Sequence, residues 1–169
     1  MRTRLHIYLA FALLVTLWCV AIVAAPMLSS SGSTSHAAGS LIYEGFSKIC
    51  HQIDERSFHI AGLKLGVCVR CSSIYFGFLA MLILLPILFP LQRLRIPSIR
   101  WLLVAFTPML IDVVLNDTGI QTSTLSSRLI TGVMVGAVLP LYIVPSLLEA
   151  VAQIKLPSLN LGGFYARKT

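Results

Sequence analysis

Residues 68–91 read CVRCSSIYFGFLAMLILLPILFPL. From Cys71 to Leu91, 21 residues pass without a charge, enough to cross a hydrocarbon core of about 30 Å as a helix. The same stretch opens on Cys68-Val69-Arg70-Cys71, two thiols at the first turn of that helix. It therefore argues both for an α-helical membrane chain and for chemistry at one mouth of a membrane helix.

The composition agrees. Of 169 residues, 57% are apolar and 11% charged, against about 25% charged in soluble domains. That leaves too little polar surface to cover a water-soluble globule. The net charge of +7 does not point to nucleic acid, because the basic residues gather at the ends of apolar runs, where they set topology. The expected surroundings are a lipid bilayer and other membrane-protein subunits.

The fold class expected is an all-α integral membrane protein with four transmembrane helices and a Cys/His-bearing outer segment between the first two. Leu5 to Leu28 forms the first span. Its small residues near Val23-Ala24-Ala25 allow a cleaved signal reading, but the long apolar run favours an uncleaved anchor over residues 1–28. Ser29 to Ser40 has the composition of a flexible polar linker. Residues 41–151 then form the Cys/His segment and a three-helix core, with spans at Ser72 to Leu91, Trp101 to about Leu115 and Leu129 to Leu148; residues 152–169 form a tail. Pro86, Pro108, Pro140 and Pro145 fall in these spans, as membrane helices permit. Leu41, Ile42, Tyr43, Phe46 and Ile49 share a helical face, which predicts a short helix on the outer membrane surface.

Placing the N-terminus in the cytoplasm puts eight basic residues inside (Arg2, Arg4, Arg93, Arg95, Arg100, Lys155, Arg167, Lys168) and five outside (Lys48, Arg56, Lys64, Arg70, Arg128). The excess of inside Lys and Arg predicts cytoplasmic N- and C-termini, with the cysteines on the outer face.

Cys50, Cys68 and Cys71 all lie between spans one and two, while Cys19 lies within span one and reads as a small packing residue. Three chemistries fit. The first is a metal centre with Cys50, Cys68 and Cys71 as ligands and His51 or His59 as a fourth. Zinc is the first expectation, and iron or copper would suit the same donors. The second is a redox pair, Cys68 and Cys71, on a face where disulfides persist; Arg70 and the helix N-terminus favour thiolate there. Such a thiol–disulfide oxidoreductase would be quinone-linked, but Cys50 alone leaves the relay one thiol short. The third is a structural disulfide, which leaves one thiol unexplained. A covalent haem is disfavoured because Ser72, not histidine, follows Cys71. No phosphate loop, Ser-His-Asp arrangement or HExxH motif is present, so hydrolase readings lack support.

Asp112 interrupts span three, and Arg128 opens span four at the same level. An acid in a membrane span is expensive and usually paired. Asp112 is therefore expected to face inward, either bound to an arginine or as part of a polar pocket with Arg56, Arg70, Tyr75 and Arg128 near the cysteines. Tyr75 lies one turn beyond Cys71 on the same face. Gly132-Val-Met-Val-Gly136 is a small-xxx-small packing motif, and Gly77 has the same use in span two.

Cys50-His51-Gln52, Arg56-Ser57-Phe58, Gly62 and Cys68-x-Arg70-Cys71-x-x-Ile74-Tyr75-x-Gly77 resemble the signature of the bacterial and archaeal membrane proteins catalogued as domain of unknown function 2085. Pro108-Met109-x-Ile111-Asp112, Ser123-Thr124, Arg128 and Thr131-Gly132-x-x-x-Gly136 extend the likeness over about residues 41 to 140. Ser72-Ser73 stands where the family usually has threonine and glycine, and Val113 where a glycine is common. The resemblance implies that Cys50, His51, Arg56, Cys68, Arg70, Cys71, Asp112 and Arg128 form one unit, without assigning its chemistry. The function expected is a metal-binding membrane protein serving as a structural or accessory subunit, with the thiol–disulfide oxidoreductase as the alternative.

Overall fold

The computed structural model describes residues 2–30, 33–90 and 94–155. Its helices are α1 (Arg2–Ser29), α2 (Ser33–Ser47), α3 (Val69–Leu88), α4 (Ile99–Asp117), α5 (Leu125–Val138) and α6 (Pro140–Lys155). Between α2 and α3 lie one 3-10 turn (Asp54–Arg56) and a two-stranded hairpin, β1 (His59–Ile60) and β2 (Leu63–Lys64). Four stretches are long and apolar enough to span a membrane: Thr3–Ser29, Val69–Leu88, Ile99–Asp117 and Leu125–Val151. The chain is a helical membrane protein with four spans among the described residues.

Span four is split between α5 and α6. Pro140 has no N–H to give the carbonyl four residues back, so the ladder lapses there, while Leu139 keeps helical angles and Ile143 N donates to Leu139 O at 3.0 Å. The span stays nearly continuous, with one rung missing at Pro140 and another at Pro145 inside α6.

The tightest packing is α3 on α5. A Cβ on Gly77 would stand 2.8 Å from Val133 O, and one on Gly132 would stand 2.9 Å from Arg70 O. The glycine pattern thus lets two backbones meet, with both helices running in the same direction from the cysteine end. Ser73 fits because Gly132 opposite has no side chain.

Helix α1 belongs to the bundle. Tyr8 donates its hydroxyl to Leu82 O, and Gly66 N donates to Ile22 O at 3.1 Å. Two apolar cores result. One joins Tyr8, Leu82, Leu85, Val144 and Leu148 across α1, α3 and α6. The other joins Ile22, Phe46, Cys50, Leu65 and Val67 at the cysteine end.

The stretch expected as a flexible linker is helical from Ser33 on, and α2 folds back along the end of α1. Small residues make this possible. A Cβ on Gly39 would meet Ser29 N at 2.8 Å and Ala25 O at 3.0 Å, and the His36 ring Nδ1 lies 2.8 Å from Ser29 O. Phe46 packs edge-on to Trp18, ring centres 5.1 Å apart. Of the face expected to lie on the membrane surface, Phe46 is buried against α1 while Leu41 and Ile49 are exposed. Residues 156–169, most of the expected tail, lie outside the described residues.

Candidate metal centre

The first thiol arrives at the end of α2. The chain leaves the helix with Cys50 N still bonded to Phe46 O at 2.9 Å, which sets Cys50 into the apolar core. It then turns sharply at Gln52, whose φ is +49°, a conformation that costs a side-chain-bearing residue free energy. Three contacts hold the turn. Gln52 Nε2 donates to Tyr43 O and to Gly66 O, both at 2.8 Å, and Lys64 Nζ donates to Gln52 O at 2.7 Å. The return path is the hairpin, closed by Ala61 and Gly62, both at positive φ, as a two-residue turn of this kind requires. Cys68 then caps α3, and Cys71 occupies its first turn.

This path brings the sulfurs of Cys50, Cys68 and Cys71 within 4.8 Å of one another, and all are free thiols. Two backbone N–H groups approach the Cys50 sulfur, from Cys68 at 3.2 Å and Gln52 at 3.5 Å. The Cys71 thiol hydrogen-bonds the Cys68 sulfur and holds the Cys68 thiol down at about 5; burial pushes the other way, and backbone N–H groups of Cys71 and Arg70 add to the lowering. A cluster of three soft donors is compatible with a bound metal ion. Cys19 stands apart, buried, with its thiol 3.6 Å from Tyr75 O.

The structure does not bring the expected histidines into this group. His51 is exposed next to Cys50, and His59 Nε2 lies 3.3 Å from Asp54 Oδ2 on the hairpin. Tyr75 is half-buried against the cluster, its ring 5.9 Å from that of Trp18.

Asp112 faces inward, and its partner is Arg70, the residue between the two thiols of α3. Ser127 Oγ donates to the other carboxylate oxygen at 2.8 Å, and Ser123 Oγ donates to Asp112 O at 3.2 Å. Arg128 goes instead to Asn116 Oδ1 at 3.2 Å. Asp112 also borders a cleft of about 320 Å³ between α4 and α5, with Gln121 and Thr131 on its walls. Gln52, Asn116 and Ser127 do work that their sequence context does not signal. Gln52 stands inside the Cys50-His51-Gln52 motif, but its clamp depends on a left-handed turn that composition does not reveal.

A family described as predicted membrane protein, domain of unknown function 2085 (DUF2085), matches residues 50–142. The chain belongs to this family. The DUF2085 region begins at Cys50 itself and holds the three clustered thiols, Arg56, Arg70, Asp112 and Arg128, while α1 and α2 precede it. A relative named uncharacterized protein MJ1492, from Methanocaldococcus jannaschii, is 33% identical over 147 residues, covering 85% of this chain and 94% of that protein. The likeness to this DUF2085 chain therefore reaches beyond the matched core. No solved structure matches.

Proposed function

We propose that this DUF2085 protein binds a zinc ion through Cys50, Cys68 and Cys71, and that the metal ties the segment after α2 to the mouth of α3. The observation that carries this reading is the convergence of three unpaired sulfurs within 4.8 Å, one of them already receiving two backbone N–H groups. Zinc prefers four ligands. His59 is engaged with Asp54, so the fourth position falls to the exposed neighbour His51, to water or to a partner subunit. The excess of basic residues on the other side supports an outer-face position for this centre, in a prokaryotic inner membrane with both termini cytoplasmic. The chain's small size and its lack of a hydrolase constellation suit a structural or accessory subunit of a membrane complex.

Elemental mass spectrometry on the purified chain, beside a thiol count under denaturing conditions, tests this. Expected are about one zinc per chain and four free thiols, with metal lost in Cys50→Ser and retained in Cys19→Ser. Iron or copper in the same ratio would change the metal and keep the site. No metal and two thiols missing would sink the reading. That outcome would favour the second one, thiol–disulfide exchange at Cys68 and Cys71 linked to a quinone, which the lowered Cys68 thiol supports.

A further inference from the structure

Three arginines lie within electrostatic range at the cysteine end, and one carboxylate is paired among them. Arg128 is only 6% exposed, in the first turn of α5. Its hydrogen bond goes to a neutral amide, Asn116 Oδ1, and no carboxylate among the described residues lies within ion-pair distance of it. Arg56 and Arg70 are within electrostatic range of it, as are Asp112 and Cys68 with the opposite sign. Arg70 spends one nitrogen on Asp112, while its Nε is buried without a partner. Arg56 is exposed and has no acid partner among the described residues, since Asp54 faces His59.

This arrangement is costly as it stands. A buried guanidinium whose one carboxylate in range, Asp112, is already paired with Arg70 is unfavourable, the more so near a bilayer. Two like charges nearby raise the cost, and the positive end of the α5 macrodipole raises it again. A divalent metal held by three thiolates contributes a single net negative charge and still leaves positive charge in excess. The orphaned Arg70 Nε and the unused Arg128 donors are the groups that a tetrahedral oxyanion would satisfy in forked geometry.

We propose that the cysteine end of the bundle carries a phosphate-binding site, in which the guanidiniums of Arg56, Arg70 and Arg128 receive a phosphate group. Two sources share this chemistry, a lipid headgroup at the membrane surface and a free phosphate or phosphate ester. The site rests on the arginines alone and stands whether or not the thiols hold metal.

Thermal unfolding of the purified full chain tests it in two arms. One adds inorganic phosphate in neutral detergent at constant ionic strength. The other compares nanodiscs of phosphatidylcholine with and without phosphatidylglycerol. A saturable rise in Tm is expected in at least one arm. A rise with phosphate identifies a soluble ligand, and a rise with phosphatidylglycerol alone identifies the lipid. Arg56→Gln should fold, because Arg56 is exposed and unpaired, and should melt no lower than the parent without anion. Its half-saturation should move up roughly tenfold, the loss of one charged hydrogen bond. Arg128→Lys keeps the charge and loses the fork, and should weaken the effect as well. No saturable rise in either arm, or an Arg56→Gln titration that overlays the parent, overturns the proposal.

Discussion

Asp112 shows how far a single residue can be read. An acid inside an apolar run must find a partner, and that much follows from the cost of a bare carboxylate in a membrane. Which partner does not follow, because Arg56, Arg70 and Arg128 all stand at a similar level in the sequence. The choice of Arg70 comes from the close approach of α3 and α5, which sets the N-terminal turn of α3 beside α4 and α5. Both side chains are largely buried, at 19% and 13% exposed, so removing one partner strands the other. Asp112→Ala should cost about 3–5 kcal/mol in thermal or denaturant unfolding. Asp112→Ala combined with Arg70→Ala should recover part of that loss, since no stranded charge remains. Additive losses in the double variant would show that the pair does not act as a unit. The histidines fall short for the opposite reason. Sequence leaves both His51 and His59 open as a fourth donor, and only the hairpin sends His59 toward Asp54.

At the scale of elements, patterns survive translation into structure where packing enforces them. Gly132, Gly136 and Gly77 were legible because nothing else explains small residues at helical spacing in an apolar span. Gly136 faces the carbonyl and Cα of Ile74, atoms that have no freedom to move aside. Gly45 is exposed on α2, and a methyl group on its Cα would meet nothing within 4 Å. Gly136→Val should therefore lower stability by more than the usual cost of overpacking, about 1–3 kcal/mol, whereas Gly45→Ala should raise it by about 0.5–1 kcal/mol. Comparative melting of the two variants reads this directly, and equal effects would mean that the helix contact is not what the glycines serve. Helix α2 was illegible over Ser33 to Ser40 because serine and glycine are poor helix formers. Its helix is supported by packing on α1 through Gly39, a tertiary contact that local propensity does not register. The broken rung at Pro140 was half legible: proline marks where a ladder lapses, not whether the helix bends away.

Across the whole molecule, four spans and the level of the thiols were legible, because hydropathy and charge follow from the bilayer as solvent. The division of labour between the two ends was not. The end built on Tyr8, Leu82 and Val144 is held by apolar contacts between three helices. The cysteine end has a core of its own in which Cys50 itself is a member, reached through a loop with two side-chain-bearing residues at positive φ. A metal there would bind only the folded arrangement, so its binding free energy becomes local folding free energy. Chelation should then loosen residues 50–67 and leave the far end intact. Hydrogen exchange of the full chain in detergent, with and without a zinc chelator, should show faster exchange at the Gln52 turn and the hairpin, and unchanged protection around Leu82 and Leu85. Loss of protection spread evenly over both ends would mean the bundle unfolds as one unit, and no change anywhere would mean that the thiols hold nothing. A local response is the expected one, because α1, α3 and α6 meet far from the sulfurs and share no ligand with them.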